Sequence, residues 1–134
     1  MSNEKDILNI GKTVAVVGLS PDESRPSFRV ANYLKQQGYT IIPVNPSVEE
    51  IMGEKCYPDL SSIENKVDIV DIFRRSDAVE PIVEEAIKIG VKAVWMQEGI
   101  VNEKAAKWAK EAGVLVVMDR CMLKEHMKLK QSEA

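Results

Sequence analysis

The chain has 134 residues, 45% of them hydrophobic and 29% charged, with a formal net charge of −3. That length allows one continuous core and is too short for two domains. The acidic balance argues against a phosphate-tracking nucleic-acid surface, no apolar run approaches the roughly 18 to 20 residues of a membrane span, and the polar start offers no apolar export signal.

Thr13 to Gly18 (TVAVVG) is a short, β-branched run ending at glycine and predicts a buried parallel strand followed by a tight turn. After the polar loop Leu19 to Pro26, Ser27 is placed to cap a helix that carries Phe28, Ala31 and Leu34 on one face and stops at Gly38. Thr40 to Val44 predicts a second strand, in which Pro43 marks an edge, a bulge or the last ladder bond. Residues 45–65 read as irregular, with Val48 to Met52 able to form only a short helical turn.

Val67 to Phe73 predicts a third strand, its apolar run broken by Asp68 and Asp71. Asp77 and Glu80 have capping-box spacing ahead of a helix that ends at Gly90. Val91 to Met96 predicts a fourth strand, Asn102 caps a helix through Ala112, Val114 to Met118 a fifth strand, and a last helix starts near Met122. Alternating strands and helices imply a three-layer α/β, Rossmann-like fold with a five-stranded parallel sheet. The expected strand order is 3-2-1-4-5, in one domain over residues 7–129 with flexible termini at 1–6 and 130–134.

In such a sheet a ligand binds beyond the carboxyl ends of the strands. The first loop carries Ser20, Ser24, Arg25 and Ser27 just before a helix start, where unpaired amide hydrogens attract phosphate. It has Gly18 but not the full G-x-G-x-x-G pattern, and Ser27 as a mere cap remains open. The second strand ends in Asn45 and Pro46, with no acid to hold ribose hydroxyls, which suits a phosphorylated ribose as in NADP or coenzyme A. At the end of the third strand Phe73 can pack on an adenine or a pantetheine arm. Of Arg74 and Arg75, which point opposite ways in an extended segment, Arg74 is expected to face the crevice.

The ordered segments VAVVGLS, IIPVNP, VDIVDIFRR, AVWMQEGI and VVMDRC resemble the CoA-binding protein family. These are small stand-alone domains similar to the N-terminal domain of the succinyl-CoA synthetase alpha subunit. The resemblance runs from about Ile7 to about Leu129. It implies that Gly18, Ser20, Arg25 and Ser27 hold phosphates and that Asn45, Pro46 and Ser47 flank the adenosine end. It further implies that Phe73, Arg74 and Gln97, with the segment Met96, Gln97 and Glu98, line the path of the pantetheine arm. This chain departs from the synthetase in a less glycine-rich first loop, in FRR where the ligase is proline-rich, and in lacking the second domain that carries the phosphorylated histidine.

The most enzyme-like group is Asp119, Arg120 and Cys121, but no histidine is placed beside Cys121 as a base, and a cysteine after a strand usually packs. His126, the only histidine, is assigned no role, Cys56 is expected to be inert, and Trp95 and Trp108 to be packing residues. The favoured reading is a cytoplasmic, non-catalytic module binding coenzyme A or an acyl-CoA, compatible with a homodimer and involving neither nucleic acid, membrane nor metal. The alternative is an NADP-type oxidoreductase or a thiol-dependent acyl or CoA transfer enzyme using Cys121.

Overall fold

The computed structural model describes residues 4–133, with the side chain of Glu133 left out. Five strands form one all-parallel sheet: β1 (Thr13–Val17), β2 (Thr40–Val44), β5 (Ile69–Ile72), β6 (Ala93–Met96) and β7 (Leu115–Val117). Helices α1 (Glu4–Ile10), α2 (Pro26–Gln36) and α5 (Met122–Glu133) cover one face through the cluster of Ile7, Val30, Leu34, Trp95 and Met122. Helices α3 (Val79–Ile89) and α4 (Glu103–Glu111) cover the other through Val70, Val83, Met96, Ala105 and Ala109. The α/β, three-layer, Rossmann-like class is therefore as expected. Among the described residues, no helix is long and apolar enough to cross a membrane.

The strand order is not the expected one. It runs β2-β1-β5-β6-β7, which is 2-1-3-4-5 when the five strands are numbered along the chain, and not 3-2-1-4-5. Pro43 explains why the second strand lies at the edge. Thr40 donates its amide to Lys12 on the β1 side, so by alternation Pro43 faces away from β1 and its missing N–H removes no ladder bond. There its carbonyl accepts from the Tyr57 amide at 3.0 Å. The third strand, buried at all four positions, takes the interior place beside β1. Because α2 and α3 leave β1 and β5 toward opposite faces, the order reverses between these two strands, and the crevice opens at their carboxyl ends.

Three local expectations are corrected. Residues 48–52 form no helical turn: β3 (Glu50–Ile51) and β4 (Glu54–Lys55) make a hairpin, with Met52 and Gly53 at φ 60° and 75°, the left-handed pair of a tight two-residue turn. Ser27 does not cap α2, since Pro26 occupies the first turn and Arg25 is the capping position, without a side-chain bond. Asp77 and Glu80 form no capping box, because a 3₁₀ turn over Ser76–Ala78 precedes α3 and Ala78 stands at its cap. Asn102, by contrast, does cap α4, accepting from the Ala105 amide at 2.9 Å. Helix α1 was not foreseen: it is short, and it is held by Ile7 and Leu8 in the core.

Candidate functional site

The register fixes which side chains meet at the rim. Val17 pairs with Ile72, and Ile72 with Met96, so Gly18, Phe73 and Gln97 form the next row, at the level where the strands end. Gly18 leaves the sheet with φ +86°, and its amide donates to Val44 O at 3.0 Å, locking the turn to the end of β2. A Cβ at this position would stand 2.7 Å from the Phe73 carbonyl oxygen and 3.0 Å from Arg74 Cδ. Only glycine lets the first loop pass this close to the end of β5.

Two hollows meet at Gly18. One, of about 340 Å³, lies on the α2 side between Gly18, Ser20, Arg25, Pro26, Ser27 and Phe73. The other, of about 230 Å³, lies on the α3 side and is walled by Val17, Val44, Pro46, Leu60, Arg74 and Ile82. The first is polar and sits at the start of α2. Pro26 has no amide hydrogen, and the amides of Ser27 and Phe28 come before the first helical bond, which Arg29 makes to Arg25 O at 3.2 Å. Those two donors, with the positive end of the helix, suit an anion.

The loop over this hollow is built by its own side chains. The Ser20 amide donates to Ser27 Oγ at 3.0 Å, the Asp22 amide to Ser20 Oγ at 3.1 Å, and the Ser24 amide and hydroxyl to Asp22 Oδ1 at 2.9 and 2.7 Å. Ser27 is buried and so acts as the post on which the loop hangs. The Ser24 bonds, helped by the charge of Arg25, hold the Asp22 carboxyl below its ordinary value. The Arg25 guanidinium lies 3.9 Å from Asp22 and stays largely exposed.

Asn45 ties the two loops together. Its Nδ2 donates to Leu19 O at 3.0 Å and its Oδ1 accepts from the Ser47 amide at 2.8 Å, so both ends of the side chain are committed to the scaffold. Pro46 and Ser47 project beyond it and are exposed. Arg74 and Arg75 diverge as the alternation requires: Arg74 borders the α3-side hollow, and Arg75 turns to Asp77 at 3.4 Å in solvent.

The structure thus brings Gly18, Ser20, Arg25, Ser27 and Phe73 into one hollow, and Gly18, Pro46 and Arg74 into its neighbour. The segment after β6 is placed differently. Met96 is fully buried in the core on the α3 side and presents no surface to a ligand. Gln97 is 4% exposed and donates Nε2 to Asp71 Oδ1 at 2.7 Å. Glu98 is exposed and pairs with Lys124 of α5 at 3.0 Å.

Several residues escaped the sequence reading. Leu60 and Pro58 wall the α3-side hollow, and Glu85 fixes that wall by accepting from the Leu60 and Ser61 amides at 3.1 and 3.2 Å. They belong to an irregular segment with no pattern that could have placed them. Asp71 is a different case, since an acid inside a strand buried at every position was itself a signal.

Two members of the enzyme-like trio bond to the scaffold. Asp119, at φ 58°, accepts the Gly99 amide at 2.7 Å, and Arg120 offers its carbonyl to Trp95 Nε1 at 2.8 Å. Cys121 is half-buried just before α5, and Cys56 is buried, with its thiol pushed up by burial.

Comparison with known proteins shows the chain's family. Residues 12–127 match the family described as CoA binding domain. The uncharacterized protein YneT of Bacillus subtilis (strain 168) is 41% identical over 122 residues, spanning 91% of this chain and 90% of YneT. The solved structure of a hypothetical protein from Pyrococcus horikoshii OT3 superposes with a TM-score of 0.90 at 42% identity, covering 95% of this chain and 92% of that one. The ADP-forming acetate–CoA ligase II of Archaeoglobus fulgidus is 33% identical over 100 residues, which are 73% of this chain but only 15% of the ligase. Small relatives matched over most of their length and one stretch of a much longer ligase thus resemble this chain, which belongs to the CoA binding domain family.

Proposed function

We propose that this protein binds coenzyme A or an acyl-CoA without chemically altering it, with the pyrophosphate over the start of α2. The observation that carries this reading is the junction at Gly18. A polar hollow with free helix amides and a largely apolar one with a cation at its edge open from the same glycine. The α3-side hollow, at about 230 Å³, falls short of the about 300–1,000 Å³ that ligand sites typically enclose, and the α2-side one, at about 340 Å³, only just reaches it, so an extended ligand would lie across both. In this pose Ser20, Arg25 and the Ser27 and Phe28 amides hold phosphate, Arg74 adds charge from the other side, and Pro46 and Ser47 flank the adenosine end. Phe73 and Gln97 floor the path of the arm.

Coenzyme A would supply a thiol at the end of that arm; the chain's own residues bind and orient. Support for a binding role comes from the commitments of the ionisable groups nearby. Glu85 is taken up by the 60–61 amides, Glu98 by Lys124, and Asp119 by Gly99. His126 lies away from the crevice, bonded through Nδ1 to Tyr33 Oη at 2.8 Å. Two free thiols fit a reducing, cytoplasmic location.

Calorimetry with coenzyme A, NADP and NAD in parallel tests the reading. Tightest binding of coenzyme A is expected; a preference for NADP would replace it with the oxidoreductase reading, and no binding of any of the three would remove it.

A further inference from the structure

Among the described residues, Asp71 is the one buried acid, and the site does not explain it. It is 0% exposed in the middle of β5, paired in register with Val16 on one side and Trp95 on the other, two rows beneath Phe73 and Gln97 and on the same face of the sheet. Its Oδ1 accepts from Gln97 Nε2 at 2.7 Å, while Oδ2 has no hydrogen-bond partner among the described residues. An apolar side chain would fill this slot at no polar cost, so an acid here calls for a reason. Gln97 supplies it, because it stands at the strand end beside Phe73, on the floor of the proposed arm path.

We propose that Asp71 is a positioning residue that decides which end of the Gln97 side-chain amide meets the ligand's arm. This rests on the coenzyme A reading for the identity of the arm, a chain with amide groups. An ionised carboxylate only accepts hydrogen bonds, so Gln97 must turn Nε2 to Asp71 and leave Oε1, an acceptor, for an amide N–H of the ligand. A protonated carboxyl makes its strongest bond by donating O–H to Oε1. The amide then reverses and presents Nε2, a donor, to the same point. Burial pushes the Asp71 carboxyl up to about 7, against the lowering effect of the Gln97 bond.

Among the described residues, no charged side chain acts on Asp71 from the elements around it; burial and the Gln97 bond are what shift it. On the covering helices, Tyr33 of α2 is bonded to His126 of α5, Lys124 is paired with Glu98, and Cys121 lies just before α5. Protonation of Asp71 is thus coupled to one neighbour, the Gln97 amide.

Two measurements on the full chain test this. In the ligand-free protein, the side-chain amide resonances of Gln97, assigned by their loss in Gln97→Leu, are expected to shift with a midpoint at about pH 7. They are expected to be independent of pH in Asp71→Asn, whose carbonyl keeps the ionised-state geometry. In calorimetry, affinity for coenzyme A is expected to fall about tenfold from about pH 8 to about pH 6, beyond any change seen with adenosine 3′,5′-bisphosphate, which shares the nucleotide phosphate but has no arm. In Asp71→Asn the affinity stays at the high-pH value. Gln97 resonances that ignore pH in the wild type, or that titrate equally in Asp71→Asn, would overturn the proposal, and the wild-type titration decides it even if the variant does not fold. A Gln97 titration with no coenzyme A binding at any pH would leave the positioning role standing and remove the ligand reading alone.

Discussion

Gly18 and Phe73 approach so closely that a single methyl group on the glycine would sit 2.7 Å from the phenylalanine's carbonyl oxygen. The neighbour is backbone, in a strand end held by the Phe73 amide's bond to Val17 O at 2.9 Å, so it cannot swing aside. Gly18→Ala therefore meets both this clash and the cost of a left-handed φ of +86°. A loss of at least about 2 kcal/mol in urea unfolding is expected, with binding lost as the two hollows separate. A variant as stable as the wild type would show that the loop relaxes freely and that the close approach is incidental.

Arg74 and Arg75 offer a matched pair. Arg74 borders the crevice, whereas Arg75 forms an exposed ion pair with Asp77 of the kind that contributes little. Arg74→Ala is expected to weaken coenzyme A binding about tenfold or more, with a shallower salt dependence, and Arg75→Ala to leave it within about twofold. Calorimetry at two salt concentrations reads both. Equal losses would place a general positive field, and not a directed contact, at the end of β5.

How much of this was legible in the sequence follows from the range of the interactions. Strands announced themselves because Thr13 to Val17 and Ala93 to Met96 are apolar runs bounded by turn residues, a local property. The order of those strands was not local. Pro43 held the clue to an edge position, but choosing between edge, bulge and last ladder bond needed the Tyr57 partner, fourteen residues on. Arg74 against Arg75 followed from simple alternation. The burial of Met96 did not, since the same residue in an exposed loop would have lined the crevice. Leu60 and Glu85 meet only because the 57–67 segment folds across the α3 face, and no periodicity records that.

Asn102 holds three elements at once. Besides capping α4, its Nδ2 donates to Ser76 O at 3.0 Å and to Glu80 Oε2 at 3.2 Å, which fastens the turn after β5 to the start of α4. Asn102→Ala removes all three bonds, and a loss of about 1–2 kcal/mol is expected; Asn102→Asp keeps the cap but sets a carboxylate against Ser76 O and the Glu80 carboxylate, so it should recover less than half. Thermal or urea unfolding of both variants measures this. An aspartate variant as stable as the wild type would show that the cap alone carries the effect and that the Nδ2 bonds contribute nothing.

Asp71 also makes the stability of the fold depend on pH in a direction opposite to most carboxylates. In the unfolded chain it ionises near its ordinary 3.8, whereas burial between Val16 and Trp95 raises it to about 7 in the fold. Between those values the native state keeps a proton that the unfolded state has released, so raising the pH favours unfolding. The favourable contribution is whole below about pH 4 and is lost progressively as the pH climbs through about 7. The full span corresponds to an upper limit of about 4 kcal/mol. Asp22 and Asp68 are shifted down, so whatever they contribute is lost only as the pH falls through values below 3.8, outside this window. Asp71→Asn, being neutral throughout, removes the slope, and is expected to exceed the wild type in stability at about pH 8 and to approach it at about pH 5. Urea unfolding of the two proteins across that range gives the difference directly. A gap that stays constant with pH would mean that Asp71 is already ionised throughout, its charge held by something other than the Gln97 amide.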